Sequence, residues 1–482
     1  MQPDPALLWA PRAWLPGSSR DASRDASGAA TAALNGAGWR DHVLLRIGAD
    51  GCWADITADV PTPPAGAQML AGPLLPGMVN AHSHAFQRAF AGLSERREQG
   101  TDDFWSWRDR MYGVAGRITA DQLRAVAAQL YIELLRGGYT QVCEFHYLQH
   151  AADGQPHADP ALLSWALAEA AADAGIGLTV LPVLYERAGF TQPHLRTEQR
   201  RFASTPASVH ALQRTVEAAR RPLLNAGVAI HSLRAASMAS IIDLSRRVAD
   251  DAMPIHIHIA EQTAEVDDCL KATGLRPIES LAREVPLNAR WQLVHATHAT
   301  PAEMSAVAQR GVALVICPGT EANLGDGIID LPGWLNAGVL ISIGSDSHAT
   351  RAWAEELRAL EYSQRLHLRQ RNVAAAPEHG EPSTAGRLFA AAQAVGGRAA
   401  GFAQWGLSRG ARADALVLDL RDSAMLGLPV AQALDALVFS SPSPPWRDVM
   451  VAGRWVIADG AHPAAAAVAA RFEAAMHALW VA

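Results

Sequence analysis

Lysine is almost missing from this chain: among 41 Lys and Arg residues the single lysine is Lys271, in a helix-like surface segment after a strand-like run. Schiff-base chemistry on a buried lysine is therefore excluded, and so is a phosphate-binding loop that requires Gly-Lys-Ser/Thr. Cysteine is scarce too. Cys52, Cys143, Cys269 and Cys317 stand far apart with no Cys-x-x-Cys pair, which argues against a disulfide framework or a structural zinc knuckle. No apolar run approaches the ~18 residues of a membrane span. There is no basic run, and the net charge is −7, so neutralisation of a nucleic-acid backbone is not expected. The N-terminus, Met1-Gln2-Pro3-Asp4-Pro5, carries an acid where a secretory signal carries basic charge. A cytoplasmic protein with a small-molecule partner, no nucleic acid and no membrane is the expectation, with a homodimer as the commonest closed assembly.

What is present is material for a large core: 482 residues, 49% hydrophobic and 18% charged. From about residue 74 a short apolar strand, a loop and an amphipathic helix recur, and eight strands are predicted: 74–84, 139–148, 178–186, 227–234, 254–261, 291–298, 312–320 and 339–348. Runs such as Val312-Ala313-Leu314-Val315-Ile316 suit strands buried on both faces, and helical periodicity covers 119–136 and 160–174. The fold class expected is α/β, a (β/α)8 TIM-like barrel over residues 74–399. Strand-like alternation at 41–60, 413–420 and 449–457 predicts a small β-sandwich domain built from both chain ends, 1–73 and 400–482. Residues 18–38, with Arg-Asp-Ala-Ser repeated at 20–23 and 24–27, read as a mobile surface loop.

Nearly every predicted strand ends in His, Glu, Arg, Tyr or Asp, at the end where barrels of this type carry their chemistry. His82-Ser83-His84 closes the first strand, and a spacing of two places both imidazoles on one face, able to share an ion or simply to pack. His256-Ile257-His258-Ile259-Ala260-Glu261 closes the fifth, where Glu261 is either a general acid/base or a carboxylate complementing a helix dipole. Asp346 follows the eighth strand, as a helix cap or, beside three histidines, as a ligand and base. His295, His231 and Arg234 end the sixth and fourth strands, structural if taken singly. Three nitrogens and one oxygen, from His82, His84, His258 and Asp346, suit one divalent ion, Zn²⁺ best, with Fe²⁺ possible.

These residues resemble the amidohydrolase superfamily, whose pattern is His-x-His after strand one, His after strands five and six, and Asp after strand eight. With no lysine after strand four, a single-ion site is implied, and His258-x-x-Glu261 is similar to the deaminase branch, which hydrolyses C=N centres. A longer stretch resembles the formimidoylglutamate deiminases of histidine degradation: Asn80 to Ala89, Phe104-Trp105-Ser106-Trp107-Arg108, Glu144-Phe145-His146-Tyr147 and His231-Ser232-Leu233-Arg234. That resemblance implies substrate contacts from Gln87, Arg108, Tyr147, His231 and Arg234, with His295 assisting at the attacking water. Arg108 and Arg234 are planar forks of the kind that grip the carboxylates of N-formimino-L-glutamate. The expected turnover has ion-activated water adding to the formimino carbon, Asp346 taking its proton and Glu261 passing one to the leaving nitrogen. Products are N-formyl-L-glutamate and ammonia. The alternatives are a deaminase of a nucleobase or related heterocycle on the same scaffold, and a non-catalytic scaffold protein. The Phe104 to Trp107 segment reads as a packed loop or part of a lid, and His146, His256, His298 and His348 as supporting residues.

Overall fold

The computed structural model describes residues 6–17, 36–97 and 102–480. The loop expected at 18–38 lies outside the described residues as far as 35, and the extreme N-terminus, 1–5, lies outside them as well.

Both chain ends contribute to one sheet. The strands β1 (Leu7–Leu15), β2 (Gly38–Ile47), β3 (Trp53–Thr57), β4 (Gln68–Met69) and β5 (Leu74–Pro76) come from the N-terminal part. Next in the chain are the barrel strands β6 (Met78–Ser83), β7 (Tyr139–His146), β8 (Gly177–Leu184), β9 (Leu224–Ala226), β10 (Val228–Ile230), β11 (Ile255–Ile259), β12 (Trp291–His295), β13 (Ala313–Ile316) and β14 (Leu340–Ile343). The strands β15 (Ala415–Leu418), β16 (Trp446–Val451) and β17 (Arg454–Ile457) then return to the first sheet, whose order is β17-β16-β15-β5-β1-β2-β3 with β4 beside β1. Its mostly antiparallel strands alternate, so that Val43, Leu45 and Ile47 of β2 turn inward onto Leu8, Trp53, Leu74 and Val417 while Arg46 faces out. The first strand, β1, escapes a reading by pattern because Pro11 and Arg12 interrupt its alternation.

The barrel runs β6-β7-β8-β10-β11-β12-β13-β14 with every pair parallel and β9 alongside β8. β6 and β14 meet across the seam through a parallel bridge between Ser83 and Asp346. Residues of these strands are buried on both faces, as their continuous Val, Ile and Leu runs require. The predicted strand 74–84 divides at Gly77: Leu74–Pro76 pairs with β15 in the end sheet and Met78–Ser83 pairs with β7 in the barrel. A Cβ at Gly77 would lie 2.2 Å from Thr140 Oγ1, so only glycine fits at this crossing.

The helix Thr384–Ala399 stoppers the N-terminal end of the barrel. Its last carbonyls, which a helix cannot satisfy internally, accept from side chains inside the barrel. His256 Nε2 donates to Ala399 O at 2.8 Å and Cys143 Sγ at 3.4 Å, while Thr179 Oγ1 and Asn225 Nδ2 reach Ala400 O at 3.2 and 2.9 Å. The last helix, Ala465–Trp480, packs along Ala120–Arg136, and Trp480 Nε1 donates to Ala89 O at 2.8 Å. No helix among the described residues is long and apolar enough to cross a membrane.

Candidate metal centre and carboxylate pocket

The open end of the barrel gathers the strand-end residues. His82 and His84 leave β6 on the same face with ring centroids 4.7 Å apart, and His258 comes from β11 to set its Nε2 2.9 Å from His82 Nε2. Asp346 is brought to them by the seam. Its N–H donates to His82 O at 3.0 Å and its carbonyl accepts from His84 N at 3.2 Å. Its Oδ1 then lies 3.5 Å from His82 Nε2 and 3.3 Å from His84 Nε2. Asn80 locks the same seam, donating from Nδ2 to Ser345 Oγ at 2.7 Å and accepting from Ser345 N at 2.9 Å. A Cβ on Gly344 would fall 2.6 Å from His82 Cβ, so the chain here has to be glycine for Asp346 to approach the histidines.

Backbone strain marks the same region. Ala260, His295, Ala296, Asp346 and His348 all have positive φ without being glycine, at about 1–3 kcal/mol each. Such conformations persist where surrounding contacts fix them, and here two of them turn His295 and Asp346 toward each other and Asp346 toward His82 and His84.

The donor set suits a divalent cation. His84 Nδ1 donates to Phe145 O at 3.0 Å, which fixes the tautomer and turns the Nε2 lone pair toward Asp346. Burial pushes His82 down to about 3 against the pull of Asp346, and pushes His84 and His258 below their ordinary value, so all three imidazoles are neutral, as ligands must be. Burial alone would raise Asp346, yet His82, His84 and His295 together hold its carboxyl below the usual range. Among the described residues, the ligand atoms of His82, His258 and His295, and those of His82, His84 and Asp346, lie within 4.8 Å of one another.

A second layer surrounds this point. His295 Nε2 is 3.7 Å from Asp346 Oδ2 and 3.8 Å from Glu261 Oε1, and its Nδ1 donates to Glu321 Oε1 at 3.2 Å. Burial lowers His295, but Glu261, Glu321 and Asp346 outweigh it and raise its pKa. Glu261 is pushed up to about 7 by burial, with His295 and Arg234 opposing. That is the range in which a carboxyl both takes and gives protons near neutrality.

The predicted substrate contacts fall on the outer side. Gln87 Nε2 donates to Tyr147 Oη at 3.0 Å, and the Tyr147 ring lies 5.0 Å from His84 and 5.8 Å from His231. His231 sits in the loop after β10, its ring 5.1 Å from His258. The Phe104–Ala115 segment is a helix, capped by Asp103, and not a loop. Trp107 packs on Phe90, while Trp105 lies under Arg108 at 4.4 Å and Arg234 at 5.4 Å. Arg108 Nε and Arg234 Nη1 are buried with no partner among the described residues, and burial followed by the charge of Arg234 lowers Arg108. Two guanidiniums held side by side with unpartnered buried nitrogens are suited to receive an anion.

His256 donates to Ala399 O, His298 to Asp326 O at 2.9 Å and His348 to His84 O at 3.1 Å. These three support the barrel, and His146 is buried at the end of β7. Sequence reasoning missed Glu321, Tyr185 and Asp326. Glu321 directly follows the seventh predicted strand, so the same strand-end signal marked it. Asp326 is in an irregular loop that carries no such signal. Lys271 is on the exposed side of the helix Thr263–Thr273, paired to Asp268 at 3.5 Å.

Known proteins agree with this geometry. The model of the amidohydrolase family matches residues 74–456. A formimidoylglutamate deiminase from Pseudomonas aeruginosa is 46% identical over 429 residues, covering 88% of this chain and 93% of its own. An amidohydrolase crystal structure from Brucella melitensis superposes with a TM-score of 0.87 at 36% identity, covering 98% of this chain and 99% of its own. An adenosine deaminase from Xanthomonas campestris, solved with bound zinc, shares the fold with a TM-score of 0.76 at 20% identity, covering 99% of both chains. The strand-end histidines, the seam aspartate and these likenesses have one reading: the chain belongs to the amidohydrolase family and is a hydrolytic C–N enzyme.

Proposed function

We propose that the chain hydrolyses N-formimino-L-glutamate to N-formyl-L-glutamate and ammonia, a step of histidine breakdown. The observation that carries this reading is the pair Arg108 and Arg234, whose Nε and Nη1 are buried with no hydrogen-bond partner among the described residues, beside the histidine and aspartate cluster. A dicarboxylate supplies the missing negative charge, and the 46% identity to a protein named formimidoylglutamate deiminase supports the same substrate.

His82, His84, His258 and Asp346 would hold one divalent ion, Zn²⁺ by donor chemistry, with Fe²⁺ compatible. The chemistry such an ion supplies when bound is Lewis-acid activation of water toward a pKa of about 7. Arg108 and Arg234 fix the two carboxylates, while Gln87, Tyr147 and His231 line the path between them and the reacting carbon. Asp346 accepts a proton as water adds to the C=N carbon. Glu261 delivers a proton to the terminal nitrogen, which leaves as ammonia when the C–N bond breaks. His295, held through Nδ1 by Glu321, orients the incoming oxygen.

The test is ammonia release from N-formimino-L-glutamate beside a panel of guanidino and heterocyclic compounds. Release from the formimino compound alone is expected; turnover confined to a heterocycle would replace this reading with a nucleobase-type deaminase. Arg108→Met separates the two, because a heterocycle deaminase has no carboxylate to lose.

A further inference from the structure

Arg108 and Arg234 do not stand alone. Arg196, which no part of the proposed function uses, lines the same cavity of about 300 Å³, together with Trp105, Gln192 and the Asp268–Lys271 pair. The three arginines form a ladder across two aromatic rings. Arg234 and Arg108 share Trp105, at 5.4 and 4.4 Å, and Arg108 and Arg196 share Tyr112, at 5.7 and 5.6 Å. Stacking of this kind holds a guanidinium in place and leaves its edge free to bind.

Arg196 is built into position. Its backbone N–H donates to Gln199 Oε1 at 3.0 Å, and Gln199 Nε2 donates to Tyr112 Oη at 3.0 Å and Tyr185 Oη at 2.9 Å. Arg196 Nε, like Arg108 Nε and Arg234 Nη1, is buried with no hydrogen-bond partner among the described residues. The single carboxylate on the cavity wall, Asp268, is engaged by Lys271. Four cations against one acid is a strongly positive pocket, and like charges are gathered in this way where an anion is to be received.

The ladder has a direction. Arg234 is the rung that faces Glu261 and Glu265 at the reacting end, whereas Arg196 is the partly exposed outer rung. We infer that Arg196 is a specificity-determining residue that, with Arg108, receives the carboxylate of the substrate farthest from the reacting carbon. This assignment rests on the proposed dicarboxylate reading, and makes the enzyme selective for chains long enough to span from Arg234 to the outer rung.

The test is calorimetric titration of the full chain with glutarate and with butyrate, in wild type, Arg196→Met and Arg196→Lys, alongside ammonia release from N-formimino-L-glutamate. Expected is a loss of glutarate affinity of about tenfold or more in Arg196→Met, the loss of a charge-assisted pair. Arg196→Lys should recover part of it, butyrate should change less than about twofold, and KM for the formimino substrate should rise with the glutarate effect. Glutarate binding that is absent from wild type, or equal in wild type and Arg196→Met, overturns the inference. Ammonia release by wild type with no Arg196 effect on glutarate leaves the proposed function standing and removes Arg196 from it. An Arg196 effect on glutarate without ammonia release keeps the carboxylate pocket and removes the proposed reaction. Unfolding midpoints of all three proteins, expected to agree, separate binding from folding.

Discussion

His82 and His258, from strands β6 and β11, bring their Nε2 atoms within 2.9 Å of each other, and neither Nδ1 has a partner among the described residues. Both rings are held neutral by burial, so their contact offers ligand nitrogens to a cation. Removing the ion with a chelator is expected to lower the melting temperature. At a free-ion concentration a hundred times Kd, binding stabilises the fold by about 2.7 kcal/mol. Calorimetry with elemental analysis checks this; equal melting of loaded and stripped protein would refute an ion at this point.

Glu261 lies near the cluster but three residues beyond His258, outside the ligand set. Glu261→Gln is expected to retain the ion and lose turnover by about 10²–10⁴-fold, while His82→Ala loses both. Ion content and ammonia release measured on the same samples distinguish them, and equal ion loss in the two variants would defeat the assignment.

Glu321 acts through His295. Its Oε1 accepts from His295 Nδ1 at 3.2 Å and from Cys317 N at 3.0 Å. Glu321→Gln keeps the shape and removes the charge that sets the ring's proton, and a loss of about 10–100-fold in kcat is expected. Because the change acts on a titrating group, the pH profile of kcat should shift as well. A variant with wild-type rates at every pH would show that Glu321 only packs.

Acid sensitivity follows from a histidine away from the ligands. Burial, aided by Arg201, pushes His146 down to about 3 from its ordinary 6.5. The unfolded chain therefore binds a proton that the folded chain refuses. The associated stability is complete above pH 6.5 and is lost as pH falls toward 3, at most about 5 kcal/mol. His146→Leu should flatten this part of the stability curve in urea unfolding at stepped pH. An unchanged slope would mean that His146 does not titrate with unfolding.

The barrel and its polar rim were legible because each depends on a short-range pattern. Runs such as Val312 to Ile316 declare strands buried on both faces, and His82/His84 and His258 declare a shared face through their position at strand ends. The break at Gly77 was not legible, since it depends on Thr140, 63 residues on, occupying the space of a side chain. Nor was the arginine ladder. Arg196 acquires its partners only when the loop after β8 folds over Tyr112, and a lone arginine in a polar loop carries no signal of that. Asp346 was found by position, whereas its left-handed backbone and its bonds to His82 and His84 arise from closure of the seam.

The stopper formed by Ala399 and Ala400 closes a barrel that is solid inside, with Ala399 packed against Ala81, Val294, Val315 and Cys317. Ala81 and Val294, the chain neighbours of His82 and His295, belong to that packed layer, so the floor beneath the histidine cluster is apolar and close-packed. Side chains such as Cys143 and Asn225, far from the cluster, thus bear on it from below: loosening their grip on the helix would leave a void under the histidines.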